Sequence, residues 1–220
     1  DKKLAPVSKG DRVIEVHYSD KIIIAGIGLH DSSAALLPYL INFIEPFVLI
    51  STGTWCISLN PFNNAPLTEA ELLNDCLCYL QYQGLPVKAN RLFAGYDHEE
   101  QVMEVLKRYD LTSQIKPLSI CLECNGHINQ VNKDSIIKKL NDNIIFSNNV
   151  KSFTELQINT FASYEEAYHK LMLNIVERQV TSTSTILNGT EVKRIFVDGG
   201  FSKNSVYMNL LAQAFPLLEV

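Results

Sequence analysis

Three glycine-bearing turns and one aspartate supply the residue types from which phosphate chemistry could be built. Gly28-Leu29-His30-Asp31, Ser51-Thr52-Gly53-Thr54 and Asp198-Gly199-Gly200-Phe201-Ser202-Lys203-Asn204 each follow a short apolar run. In α/β sheets, ligands gather where strands end in such turns. Small residues at Ser51–Thr54 let backbone N–H groups and hydroxyls approach phosphate oxygens. The lysine of a Walker loop does not follow, so this is no P-loop. Gly199-Gly200 leaves no side chain to block a flat ring or a ribose, and a helix start adds N–H donors. Asp31 stands where a strand hands over to a helix. A carboxylate there is commonly a helix cap, but it can also take a proton from a substrate hydroxyl.

The elements that must position these turns follow from periodicity. Residues 22–28 are apolar and end in glycine, which predicts a strand buried on both faces. Ser32 or Asp31 then caps a helix limited or bent by Pro38. Residues 47–51 and 55–59 read as two strands of a hairpin about Thr52-Gly53-Thr54. Residues 77–83 and 87–90 make two more strands about Gly84. Val102, Val105, Leu106 and Tyr109 share one helical face within 98–109. Ser163-x-x-Glu166 is a capping-box pattern opening a helix to about Leu187, stopped by Asn188-Gly189. A buried strand at 192–197, a helix at 203–215 and the start of a strand at 217–220 complete the reading. Residues 110–162, rich in Asn, Lys and Ser, read as an irregular excursion.

Composition bounds the class. The chain has 220 residues and a formal net charge of −5. With no basic stripe, nucleic acid is not the expected partner. Apolar runs such as 47–50 are too short to span a bilayer, and no basic-then-apolar leader opens the sequence. Cys56, Cys76, Cys78, Cys121 and Cys124 make an odd count, which reads as a reducing cytoplasm rather than a disulfide framework. Cys121 and Cys124 form a CxxC, and Cys76 and Cys78 could complete four thiolates for zinc. The second pair has one intervening residue and lies over forty residues away, which argues against that site, and no metal ligand is assigned.

Taken together, Gly28–Ala35, Ser51-Thr52-Gly53-Thr54-Trp55 and Asp198–Asn204 resemble the C-terminal domain of the FGGY family of carbohydrate kinases. The resemblance covers nearly the whole chain. It implies a ribonuclease-H-like α/β lobe of the actin, Hsp70 and hexokinase superfamily, with a mixed sheet flanked by helices. It also implies roles. Asp31 matches the base that deprotonates the sugar hydroxyl. Gly53 and Thr54 match the phosphate-binding turn, followed by Trp55. Gly199, Gly200 and Asn204 match the adenosine motif, with Phe201 beside the base where many members carry a third glycine. His30 resembles the ketose-kinase branch, which includes rhamnulose, fuculose and xylulose kinases; a sugar contact and a packed or hydrogen-bonded histidine beside a strand end are both open for it.

The implied activity is transfer of phosphate from ATP, with Mg2+, to a primary hydroxyl of a small ketose. The implied partners are that sugar, an N-terminal lobe of the same parent protein and, as an option, a second copy in a homodimer. On this reading residues 1–220 are the nucleotide-binding domain of a two-lobed enzyme, truncated at both ends and inactive alone. Two rivals stay open: a non-catalytic actin-like nucleotide-binding module, and a zinc-dependent interaction module.

Overall fold

The computed structural model describes residues 12–26, 28–112 and 161–220. Five strands form one mixed sheet in the order β5-β6-β4-β3-β7. They are β3 (Phe47–Thr52), β4 (Cys56–Asn60), β5 (Cys76–Leu80), β6 (Pro86–Leu92) and β7 (Arg194–Gly199). Strands β3, β4, β6 and β5 pair antiparallel in succession, while β7 runs parallel to β3. The expected hairpins at 47–59 and 77–90 are present.

Helices cover both faces. Helix α1 (Asp31–Asn42) packs on one face against β3. On the other lie α3 (Ala94–Arg108), α4 (Tyr164–Leu187) and α5 (Ser205–Ala214), with α4 central against β4 and β6. Strand β3 shows why its sequence is a continuous apolar run. Val48 and Ile50 enter the core beneath α4, whereas Phe47 and Leu49 enter the core beneath α1. A strand buried on both faces has no polar side to present.

The α4 interface is partly polar. Ser58 Oγ lies 2.8 Å from Thr183 Oγ1, Gln179 Nε2 donates to Ser58 Oγ at 2.9 Å, and Asn60 Nδ2 donates to the Ile186 carbonyl at 2.9 Å. Buried polar atoms are tolerated when they pair in this way, and paired polar atoms fix the register of the helix on the sheet.

Several expectations are corrected. Residues 22–28 do not form a strand buried on both faces. β2 (Lys21–Gly26) pairs with β1 (Val13–Tyr18) in a separate two-stranded ribbon, and Ile22, Ile23 and Ile24 are exposed. Its apolar residues lack a packing layer among the described residues. Helix α1 is capped by His30, not by Asp31 or Ser32, and it continues through Pro38. A short helix α2 (Glu69–Leu73), capped by a Thr68–Glu71 box, was not anticipated. Residues 217–220 make one parallel bridge, Arg194 to Glu219, rather than a strand. The proposed excursion at 110–162 lies mostly outside the described residues, as do Cys121 and Cys124. No helix among the described residues is long and apolar enough to cross a membrane.

Candidate functional site

The parallel pair β3 and β7 ends on one rung, Thr52 opposite Gly199. Two of the three glycine turns therefore leave the same edge of the sheet. Thr52 stitches them together. Its hydroxyl donates to the Asp198 carbonyl and accepts from the Phe201 N–H at 3.0 Å. Gly199 has φ +88°, and a Cβ there would overlap the Thr52 carbonyl. Both facts require glycine. Gly200 differs: a Cβ there would meet nothing within 4 Å. Gly199 closes the turn, and Gly200 leaves open space beside it.

The β3–β4 turn is similarly divided. The Gly53 N–H donates to the Trp55 carbonyl at 2.8 Å, so that amide is committed to the turn. The space around Gly53 is open on the side where a Cβ would stand. Below it, the Tyr96 N–H donates to the Thr54 carbonyl at 3.1 Å, and a Cβ on Gly95 would overlap the Gly53 carbonyl. The start of α3 thus supports the turn through a close approach that only Gly95 allows. The Leu92–Tyr96 sequence gives no periodic signal for it.

The third turn delivers His30 and Asp31 at the start of α1. Asp31 Oδ1 accepts from the Ser32 N–H at 2.7 Å and lies 2.9 Å from His30 Nδ1. The Ser32 N–H is farther from His30 Nδ1, at 3.3 Å. The Ser32 N–H thus has both side chains as acceptors, with Asp31 the nearer. The Asp31 side chain is 92 % exposed, so its second oxygen is accessible. The His30 ring also leans on Tyr79, centroids 5.0 Å apart.

These pieces enclose a cleft of about 550 Å³ on the α1 face of the sheet. One wall is the start of α1, with His30, Asp31 and Ser32; Gly53, Thr54 and Trp55 form the rim. The floor is a lateral row in register, Ser51 opposite Ile57 and Ile57 opposite Arg91. Residues paired across strands share a face. Arg91 and Tyr79 belong to this cleft although sequence reasoning passed over both. Only the strand register reveals them. Gly199 and Gly200 do not line the cleft and join it through the Thr52 rung.

Trp55 has a neighbour on each side. Its ring centroid lies 4.5 Å from that of Phe93 and 5.0 Å from the Arg91 guanidinium carbon. Two residues expected at the adenosine turn face inward. Phe201 is 6 % exposed, stacked on Tyr207 at 4.8 Å and edge-on to His98 at 5.2 Å. Asn204 is buried and caps α5, accepting from the N–H groups of Val206 and Tyr207. It also donates to Tyr168 Oη at 2.8 Å. His98 Nε2 approaches the same hydroxyl at 3.4 Å, and burial depresses its pKa to about 4. A histidine given no partner from sequence is therefore a core residue beneath this turn.

Of the zinc candidates, Cys76 is buried and accepts from Asn90 Nδ2 at 3.0 Å, while Cys78 is exposed. Burial pushes the Cys56 thiol up to about 12. No group of three or more His, Cys, Asp or Glu poised for a metal occurs among the described residues.

Comparison with solved structures finds a carbohydrate kinase from Novosphingobium aromaticivorans with a TM-score of 0.66 and 22 % identity. The likeness covers 97 % of this chain and 46 % of that one. The chain has a carbohydrate-kinase-like fold. It spans about half the length of that neighbour. A family described as the Mut7-C RNAse domain matches residues 79–155, of which 79–112 hold the last two residues of β5 and all of β6 and α3. No curated protein matches the sequence.

Proposed function

We propose that this chain is the nucleotide-binding lobe of an FGGY-type, ATP-dependent kinase acting on a small ketose in the cytoplasm. The observation that carries the reading is the Thr52–Gly199 rung, which gathers two glycine turns beside a cleft holding an exposed aspartate. The strand order supports a ribonuclease-H-like lobe: an antiparallel run followed by a strand parallel to the first. The residues fit a nucleotide. Open space stands over Gly53 and Gly200, a phosphate could approach Thr54, and the ribose side could approach Gly200. Bound Mg-ATP would supply the phosphoryl group and neutralising charge.

The chain's own part is positioning and proton transfer. Oδ1 of Asp31 is held by the Ser32 N–H, so the carboxylate has a fixed orientation. Its free oxygen can accept the proton of a primary hydroxyl as that oxygen attacks. Thr54 would hold the phosphate chain, and His30 would orient the sugar beside Asp31. Phe201 and Asn204 act from within, by shaping the turn that Gly200 opens. A second lobe, with most of the sugar contacts, completes the site, so the isolated chain is expected to bind nucleotide without turning sugar over.

Calorimetric titration with Mg-ATP tests this. Saturable binding by the chain is expected, with phosphorylation of L-rhamnulose, L-fuculose or D-xylulose only by the complete two-lobed protein. Absence of nucleotide binding would contradict the assignment. The Mut7-C match favours a second reading, an RNA-cleaving domain. Hydrolysis of RNA by the same preparation, without nucleotide binding, would replace the first reading with the second.

A further inference from the structure

We infer that Arg91 is the anion-reading residue of the cleft and contacts a phosphoryl oxyanion there. The inference rests on the kinase reading and adds a residue to it. Arg91 is immobilised by three separate contacts. Its Nη2 donates to Asp75 Oδ1 at 2.7 Å, its backbone N–H donates to the Asp75 carbonyl at 3.2 Å, and its guanidinium lies over the Trp55 ring. Asp75 itself sits at φ +61°, a conformation that non-glycine residues adopt at a cost. Asp75 directly follows the C-cap of α2, so this helix-ending turn presents its carboxylate to the arginine.

The grip leaves the guanidinium unsatisfied. Arg91 Nε is buried and has no hydrogen-bond acceptor. The rest of the guanidinium is not enclosed: the Arg91 side chain keeps 32 % of its surface exposed and lines the cleft. A ligand oxyanion arriving in the cleft meets that exposed part of the guanidinium. Arginine suits it because its planar fork matches phosphate oxygens. Asp31, on the opposite wall, is a carboxylate and would repel the same anion. A fixed cation on the floor offsets that repulsion where phosphate and Asp31 must share one cleft.

The oxyanion has two sources, the terminal phosphate of ATP or the phosphate of the sugar product. Both arms can be measured on this chain by titrating wild type, Arg91→Gln and Arg91→Lys with Mg-ATP, Mg-ADP and D-xylulose 5-phosphate. If the terminal phosphate is read, Arg91→Gln weakens ATP by about tenfold or more and ADP by less than about twofold. If the product is read, the sugar phosphate alone weakens by a comparable factor. Arg91→Lys keeps the charge and recovers part of either loss. Asp75→Asn loosens the grip and gives the same pattern in weaker form. Thermal melting reports whether each variant is folded. Folded Arg91→Gln with wild-type affinity for all three ligands overturns the inference while leaving the kinase reading intact. A wild-type chain that binds none of them overturns both.

Discussion

His98 makes the stability of this chain depend on acid. The ring is 8 % exposed, and its pKa is depressed from 6.5 to about 4 because burial disfavours the charged form. The facing groups are the Tyr168 hydroxyl on α4 and the Phe201 ring, neither of which compensates a positive charge. In the unfolded chain the same histidine titrates near its ordinary value. Above pH 6.5 both states are neutral and the contribution is fully present. As pH falls, the unfolded state binds a proton first, and stability is lost until the folded pKa is passed. The difference amounts to about 3 kcal/mol in total, with about 1 kcal/mol gone by pH 6 and about 2 kcal/mol by pH 5. Urea unfolding at pH 7.5, 6 and 5 measures it. His98→Phe keeps a ring against Phe201 and Tyr168 but has nothing to protonate. Its stability curve should therefore be flatter than that of wild type by those amounts. Parallel curves for the two proteins would refute the reasoning, because the buried imidazole would then not be the group that titrates.

Three other outcomes follow from the same geometry. Gly199→Ala meets both a positive φ and the Thr52 carbonyl and should cost about 2 kcal/mol or more, whereas Gly200→Ala, facing open space, should cost under about 0.5 kcal/mol and instead weaken nucleotide binding; chemical denaturation and titration of both variants check this. Lys88, 5 % exposed, donates to Glu71 Oε1 at 2.7 Å, so Glu71→Ala should destabilise by about 3 kcal/mol, while pairing it with Lys88→Met should restore most of the loss in urea melts. On the proposed kinase reading, Asp31→Asn in the two-lobed parent protein should lower kcat by at least about a hundredfold while leaving the affinity for ATP near wild type, measured by coupled assay and calorimetry.

Much of this arrangement was legible in the residues. The two-faced burial of β3 follows from its unbroken apolar run, and α4 begins at Ser163 as its capping pattern implied, with Ser163 Oγ accepting from the Glu166 N–H. Glu166, however, reaches back to the Ala162 N–H, one residue earlier than a standard box would have it. The error at residues 22–28 is instructive. Ile22-Ile23-Ile24 is as apolar as Val48-Leu49-Ile50, and composition cannot tell which run the helices will cover. Burial is decided by pairing partners, and among the described residues β2 pairs with β1 alone. Phe201 faces the core for a related reason. A position beside two glycines looks available to a ligand, yet its large ring gains more by stacking on Tyr207 in the core. His98 and Arg91 were invisible because their partners, Tyr168 and Trp55, lie on other elements.

The sheet edge separates support from chemistry by the alternation of its strands. Thr52, Phe201 and Asn204 contribute to the α4 side, where they fix the two turns to one another. Ser51, Ile57 and Arg91, one residue out of step with Thr52, Cys56 and Asn90, look to the α1 side and line the cleft. Neighbouring positions on one strand therefore perform different tasks: Thr52 stitches the turns, while Ser51 faces the cleft. A slip of one residue between β4 and β6 would carry Arg91 into the α4 interface and bring Asn90 to the cleft. The polar seam guards against that slip. Asn90 accepts from Ser182 and donates to Asn74 and Cys76, partners it would lose on the other face. The seam beneath α4 thus holds the register on which the cleft's lining depends, and hydrogen bonds far from Asp31 place the guanidinium that shares its cleft.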